Sequence, residues 1–274
     1  MTAAVDVGAK VELCLVGIGT GNPDHVTRQG VKALNAADLI LVPHKGEGKA
    51  DLAELRLALC QELVTNPATQ VVQFDMPVRD AHDPDYPGAV NRWHDAIAEV
   101  WLEKIRAHLP EGGRVALLVW GDPSLYDSTL RIADRLALQV PLAVSVVPGI
   151  TALQALTAAH AIALNDINAP VTIITGRQLR DHGWPESADT IAVMLDGHCA
   201  FQHLPPEGIT IWWGAYLGMP QQICIAGPLT EVSERIQAER QAARAAHGWV
   251  MDIYLMRRGT DSPESKAVAN INSL

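Results

Sequence analysis

The first 150 residues alternate five short apolar runs with segments of helical periodicity, and this alternation constrains the fold more than any other feature. Each run is continuous in its hydrophobicity. Such strands are typical of a parallel sheet covered by helices on both faces, because both sides of every strand are then buried. We therefore predict a parallel five-stranded α/β domain over residues 1–148. The apolar runs are residues 11–16, 38–42, 71–74, 115–119 and 143–147, and a helix is predicted over residues 24–36, between the first two runs.

The pattern changes after residue 148, because fewer helical segments separate the later apolar runs. A mixed sheet can join neighbouring strands without a helical crossover, so this pattern favours one. We predict a second α/β domain over residues 149–260 and a polar tail over residues 261–274. The later apolar runs are residues 171–175, 191–195, 209–213, 223–225 and 249–256.

Composition excludes several classes of protein. The 274 residues are 48% apolar, enough for a sizeable core. No apolar stretch reaches membrane-spanning length and no basic leader precedes the first apolar run, so we predict a cytoplasmic protein. A net charge of −10 argues against nucleic-acid binding. The four cysteines are scattered without a CxxC pair, which predicts reduced thiols and no metal site.

The segment VGIGTGNPDHVT, residues 16–27, has alternating glycines where the first strand ends. Glycines at such a position let backbone approach a ligand closely. A dinucleotide-binding turn would need a glycine in place of Asn22 and an acidic residue after the second strand, where Pro43 and His44 stand. The spacing alone leaves open whether this loop meets a ligand or is only a tight turn.

Three further segments follow predicted strands: WGDPSLY at 120–126, PGITA at 148–152 and MLDG at 194–197. Ligands bind beyond the carboxyl ends of strands in open α/β sheets. Asp122 could accept from a ligand ammonium or cap the next helix, and the cap is the commoner role. Met194 and Leu195 could contact a flat ring or be ordinary core residues, and core is the commoner outcome.

In this order and spacing, the segments GxGxGxP, GDPxxY, VPGxxA and MxxG resemble the tetrapyrrole methylase family, the S-adenosylmethionine-dependent enzymes of cobalamin and sirohaem synthesis. The resemblance extends from about residue 11 to 256. Thr20, Asn22 and His25 depart from the family's usual first loop. Within the family, the sequence is most similar to members that methylate a cobalamin precursor and release acetate.

The resemblance implies two α/β domains with S-adenosylmethionine in the cleft between them, a polycarboxylate tetrapyrrole substrate and a homodimer. It places the first glycine loop on the substrate side. The implied cofactor contacts are Gly121, Asp122, Ser124, Leu125, Tyr126, Thr151, Ala152, Met194, Leu195, Ala226 and Gly227. The implied substrate contacts are Gly19, Thr20, Gly21, His25, Arg28 and Lys45.

Release of acetate requires a group that activates water. The polar, proline-broken segment 74–88 and the end of the second strand supply the candidates, which are His44, Asp75 and Tyr86, with Asp83 and Asp85 as further acids. His44 is the first choice, and its alternative is an ordinary solvated histidine. Besides Arg28 and Lys45, Lys49 and Arg79 are the cations placed to meet substrate carboxylates.

Three other functions stay open at this point. Another methylase of the same family would act at a different ring carbon. A nicotinamide-dependent oxidoreductase is disfavoured by Asn22 and by the missing acid after the second strand. A non-catalytic corrinoid-binding protein would bind the tetrapyrrole without turnover.

Overall fold

The structure is a computed structural model that describes residues 10–44, 50–79 and 85–259, without the side chains of 50–52 and 86–87. Contacts divide the chain into two compact units, Met1–Thr151 and Ala152–Leu274. The domain limits given above stay predictions, and the polar tail lies outside the described residues. No helix in the described ranges is long and apolar enough to cross a membrane.

The first unit contains a five-stranded sheet in the order β3-β2-β4-β1-β5, with every neighbouring pair parallel, as predicted. Leu13 and Leu15 pack with the third and fourth helices on one face, and Val16 packs with the first two helices on the other. The elements are β1 (Val11–Gly17), α1 (Arg28–Ala36), β2 (Leu39–His44), α2 (Ala50–Leu63), β3 (Gln70–Asp75), α3 (Tyr86–His108), β4 (Gly113–Val119), α4 (Thr129–Ala137) and β5 (Leu142–Val147).

The sheet of the first unit opens at its carboxyl edge between β2 and β4. Their pairing covers only Leu39–Leu41 against Val115–Leu117, although both strands continue. β2 stays paired with β3 as far as His44, and β4 stays paired with β1 as far as Val119. The two halves of the sheet therefore separate at the edge where ligands of α/β sheets bind.

The second unit contains a mixed sheet in the order β6-β7-β10-β8-β9, which confirms the predicted class. Only β6 and β7 are parallel, and the other neighbouring pairs are antiparallel. The elements are α5 (Ala152–His160), β6 (Val171–Thr175), α6 (Gly176–His182), β7 (Thr190–Met194), β8 (Ile209–Ala215), β9 (Ile223–Pro228), α7 (Leu229–His247) and β10 (Asp252–Arg258).

Two sequence-based expectations about helices are wrong. The helix expected from Asp24 is interrupted: a 3-10 turn covers Pro23–His25, and α1 begins only at Arg28. Thr27 sets this start, because its hydroxyl accepts from the Gly30 amide at 3.0 Å. Helix α6 was not predicted, and it follows β6 directly because Thr175 and Gln178 form a reciprocal capping box.

Candidate active site

The loops after β1, β4 and β5 meet through Gly17, Gly121 and Gly149, which we call the glycine cluster. A Cβ atom at Gly149 would lie 1.9 Å from the Gly121 oxygen, and one at Gly17 would lie 2.6 Å from the Gly149 nitrogen. These backbones approach too closely for any side chain. The three sequence motifs of the first half therefore converge at one point of the carboxyl edge.

The first loop is held to the β4 loop by backbone hydrogen bonds. The Gly121 amide donates to the Gly19 carbonyl at 2.8 Å, and the Gly19 amide donates in return at 3.3 Å. The Thr20 hydroxyl lies 2.8 Å from Nδ1 of His25 and is buried. Four predicted substrate residues (Gly19, Thr20, Gly21 and His25) thus lie in one closed loop, whereas Arg28 is exposed at the start of α1. Lys45 and Lys49 lie outside the described residues.

Asp122 joins the β4 loop to the β5 loop. One carboxylate oxygen accepts from the Ser124 amide at 2.8 Å and from its hydroxyl at 2.5 Å, and the other accepts from the Gly149 amide at 2.9 Å. Burial alone would raise the pKa of Asp122, but these hydrogen bonds outweigh burial and lower it. The capping role expected for Asp122 is wrong, because the first amide of α4 donates to Asp127 instead.

Gly121 borders open space on the outer side of the glycine cluster. Its φ is +60°, and a Cβ atom there would meet only the Cα of Thr151, at 3.7 Å. A short way along, Tyr126 has a φ of +51° and is 43% exposed, while Leu125 is half-buried. A bulky residue held in the left-handed region is strained, and such strain is concentrated at ligand sites.

The second unit presents a similar residue at the end of β7. Leu195 has a φ of +54° and is 66% exposed, so the interpretation of Leu195 as a core residue is wrong. The next residue, Asp196, is buried, and its carboxylate accepts from the His198 amide at 3.0 Å and the Ala200 amide at 2.6 Å. These bonds fix the loop and hold the Leu195 side chain outward.

A buried polar network supports that loop from behind. Tyr254 donates to Asp196 at 2.6 Å, and Arg240 donates to the Asp196 carbonyl at 3.1 Å and to Asp252 at 2.8 Å. The Trp213 indole also donates to Asp252, at 3.0 Å. Burial alone would lower the pKa of Arg240, but the bonds to Asp252 outweigh it and raise it. The roles of Arg240, Asp252 and Tyr254 were not predicted, since nothing in the local pattern distinguishes them from other residues of a charged helix or an apolar strand.

Ala226 and Gly227 are not brought together with Met194 and Leu195. They belong to β9, which is separated from β7 by β10 and β8, about 14 Å across the sheet. Following the register through the intervening strands, Gly227 is level with Ile191, at the start of β7. The two pairs thus lie on separate strands, β9 at the sheet edge and β7 inside the sheet, and Gly227 is three residues out of level with Met194.

His44 and Asp75 end two neighbouring strands, and the structure brings them together. His44 Nδ1 lies 3.3 Å from an oxygen of Asp75, and both side chains are accessible. The Met76 amide donates to the His44 carbonyl at 2.8 Å, so the strand ends are held beside each other. Because a carboxylate only accepts, Nδ1 is the donor in this contact, and Nε2 is left for a second partner. Tyr86 begins α3, but its side chain lies outside the description, as does Asp83.

Comparisons with known proteins agree with this geometry. The family model of tetrapyrrole (corrin/porphyrin) methylases matches residues 12–233. The chain belongs to the tetrapyrrole methylase family. It is accordingly a methyltransferase that uses S-adenosylmethionine, which confirms the expectations of activity and cofactor.

Several relatives of this methylase cover nearly its whole length. The precorrin-6A synthase (deacetylating) of Sinorhizobium sp is 47% identical over 92% of this chain and 97% of that protein. A Corynebacterium diphtheriae structure described as cobalamin synthesis related (CobF) is 37% identical, with a TM-score of 0.77 over 91% of this chain and 99% of that one. The Thermus thermophilus uroporphyrin-III C-methyltransferase complexed with S-adenosyl homocysteine is 17% identical, with a TM-score of 0.56 over 90% and 92%, and shares the fold.

Proposed function

We propose that this chain is a deacetylating precorrin-6A synthase of cobalamin biosynthesis. In this reaction precorrin-5, S-adenosylmethionine and water give precorrin-6A, S-adenosylhomocysteine and acetate, with the new methyl group on ring carbon C1. The observation that carries the proposal is the 47% identity to a protein of that name along almost the entire length of both chains. The charge of −10 is compatible with an acidic substrate where cations are gathered locally.

In the first unit, we propose that the cofactor lies against Gly121, Asp122, Ser124, Leu125, Tyr126 and Thr151. The open space beside Gly121 and the strained, exposed Tyr126 support this placement. In the second unit, we propose contacts from Ala152, Met194 and Leu195, with Ala226 and Gly227 as further candidates. The exposed Leu195 supports the former group. The sulfonium of the cofactor supplies an electrophilic methyl group, and the protein aligns the ring carbon with it.

The first loop is proposed as a wall of the substrate site, with Thr20 and His25 holding its shape through their mutual hydrogen bond. The exposed Arg28 supplies a charge for substrate carboxylates, and Lys45 is proposed as a second cation. We further propose a cytoplasmic protein, as the sequence pattern predicts, and a homodimer, as the family resemblance implies.

We propose that His44 is the general base for acetate release and that Asp75 orients it. His44 Nε2 takes a proton from a water molecule as that water attacks the acetyl carbonyl carbon. The bond from the acetyl carbon to the ring then breaks, and its electron pair stays on the ring carbon. That carbon thereby becomes the nucleophile which methyl transfer needs. Asp75, at 3.3 Å from Nδ1, stabilises the imidazolium formed in the first step.

Replacement of His44 tests this mechanism. In His44→Ala, acetate release and methylation should fall together by about 100-fold or more, because positioned general bases contribute that much. His108→Ala is the matched control. His108 lies 3.0 Å from Gln70, which is at the opposite end of β3 from Asp75. In H₂¹⁸O the wild-type enzyme should release acetate with one ¹⁸O atom. Full rates in His44→Ala would exclude His44 as the base, whereas acetate without ¹⁸O would exclude attack by water.

A further inference from the structure

A cavity of about 220 Å³ lies in the first unit, at the point where β2 and β4 separate. Its walls come from both strands and from three of the surrounding helices. Pro43, the neighbour of His44, is one of the lining residues. The aromatic lining of the cavity consists of Phe74, Trp93, Trp101 and Trp120.

Arg56 supplies the positive charge of this cavity. It extends from α2 to the separated strand end, where its Nε donates to the Leu118 carbonyl at 3.2 Å. The Val119 carbonyl accepts from the Ile18 amide on the β1 side. Successive carbonyls of a strand point to opposite sides, so the Leu118 carbonyl points toward β2, which is no longer paired with β4 at this position. The guanidinium also stacks 5.2 Å from the centre of the Trp120 ring. Burial lowers the pKa of Arg56 to about 10, against the attraction of Asp127, so the group stays charged at neutral pH.

The other polar groups of the lining are mainly donors. Among the described residues, the buried indole N–H groups of Trp101 and Trp120 have no acceptor, and Trp101 is only 4% exposed. Ser128, at the start of α4, makes no side-chain capping bond. Asp127 is the one acid in the described part of the lining, and one of its oxygens already accepts from the Thr129 amide at 2.6 Å. Buried donors without acceptors cost free energy, which a ligand with acceptor oxygens would recover.

The charge and shape of the lining restrict the ligand. One guanidinium and the partial positive charge of the α4 N-terminus face one carboxylate, and the remaining surface is aromatic or aliphatic. The donors of the lining suit the two oxygens of a carboxylate, and its apolar surface suits a methyl or methylene group. A phosphate group has no apolar part, so it would make no favourable contact with the three tryptophan rings and the phenylalanine ring of the lining.

We propose that this cavity binds a short-chain carboxylate, with Arg56 as its principal ligand. Two sources share this chemistry: an acetate side chain of the tetrapyrrole substrate, and the acetate released by the reaction. The assignment deepens the proposed function and rests on it only for the source of the carboxylate. The position of Pro43 directly before His44 places the cavity beside the group that we assign to acetate release.

Tryptophan fluorescence tests the proposal without turnover, since three of the seven tryptophans line the cavity. Sodium acetate is titrated at constant ionic strength, with sodium chloride as the compensating salt. The wild-type emission should change saturably. Arg56→Leu should raise the apparent Kd for acetate at least 10-fold, and Arg56→Lys should give a smaller increase. Arg106→Leu, at an exposed position of α3, should leave the Kd unchanged.

Trp120→Phe keeps an aromatic ring at this position but removes the indole N–H donor. It should weaken acetate binding about threefold, and it tests the proposal even if Arg56→Leu fails to fold. The absence of a saturable response in the wild type, or an unchanged Kd in folded Arg56→Leu and in Trp120→Phe, would overturn the proposal.

The source of the carboxylate is tested by repeating the titration with saturating precorrin-5, whose binding is followed by its own absorbance. Loss of the acetate response identifies a substrate side chain in the cavity, and persistence identifies released acetate. Acetate binding by a protein that releases none in turnover assays would contradict the proposed function alone.

Discussion

The two units present their candidate cofactor residues by different means. In the first unit, backbone segments touch at the glycine cluster, where a single added carbon at Gly149 would lie 1.9 Å from a carbonyl oxygen. In the second unit, Leu195 is held outward by the hydrogen bonds of the buried Asp196, which the Arg240–Asp252 pair, at 2.8 Å, supports from behind. The first arrangement is sensitive to added volume, and the second is sensitive to the loss of a charge.

Removing Arg240 should give the largest effect. Its side chain and that of Asp252 are 12% and 7% exposed. Arg240→Leu would leave the Asp252 carboxylate buried without its counter-charge, and breaking such a pair costs about 3–5 kcal/mol of unfolding free energy. Urea denaturation measures the loss. Arg244→Leu, at an exposed position of the same helix, should change the unfolding free energy by less than about 0.5 kcal/mol. Equal losses of unfolding free energy in the two variants would show that the buried network does not stabilise the second unit.

Adding one carbon to the glycine cluster should have the next largest effect. In Gly149→Ala the new Cβ forces the β4 and β5 loops apart, and overpacking of this kind costs about 1–3 kcal/mol. The thermal midpoint and the affinity for S-adenosylhomocysteine should both fall. Gly197→Ala is the control, because a Cβ atom there meets nothing within 4 Å. An unaltered midpoint in Gly149→Ala would show that the loops are not packed as described.

Asp122→Asn should give the smallest effect, and one that depends on pH. The lowered pKa of Asp122 means that its carboxylate stabilises the folded state above the unfolded pKa of about 3.9, and that this contribution is lost as the pH falls through the folded value. At pH 7 the variant should be less stable by about 1 kcal/mol. The difference should shrink below pH 4. Asp134→Asn, on the exposed face of α4, should follow the wild-type curve, and a gap for Asp122→Asn that is constant down to pH 2 would contradict the assignment.

The same contrast explains what the sequence could reveal. Continuous apolar runs predicted the parallel sheet, and the glycines of the first loop indicated close approach of the backbone, because such approach leaves a residue-type signature. That Gly17, Gly121 and Gly149 contact one another was not predicted. The partner of Asp122 could not be predicted from local spacing, since Gly149 lies 27 residues away. The same holds for the Arg240–Asp252–Tyr254 network and for Arg56, whose contacts depend on where β2 and β4 separate. The start of α1 was missed because the Thr27 cap competed with an apparently continuous helical pattern.

The central claim is that one active site removes an acetyl group from the tetrapyrrole and adds a methyl group to it. The most direct test is the mass of the product formed from precorrin-5 with S-adenosylmethionine carrying a trideuterated methyl group. We expect a product that has gained one trideuteromethyl group and lost the acetyl group, with acetate and S-adenosylhomocysteine formed in equal amounts. A product that gains the label but keeps the acetyl group would contradict the account and indicate a methylase acting at another ring carbon.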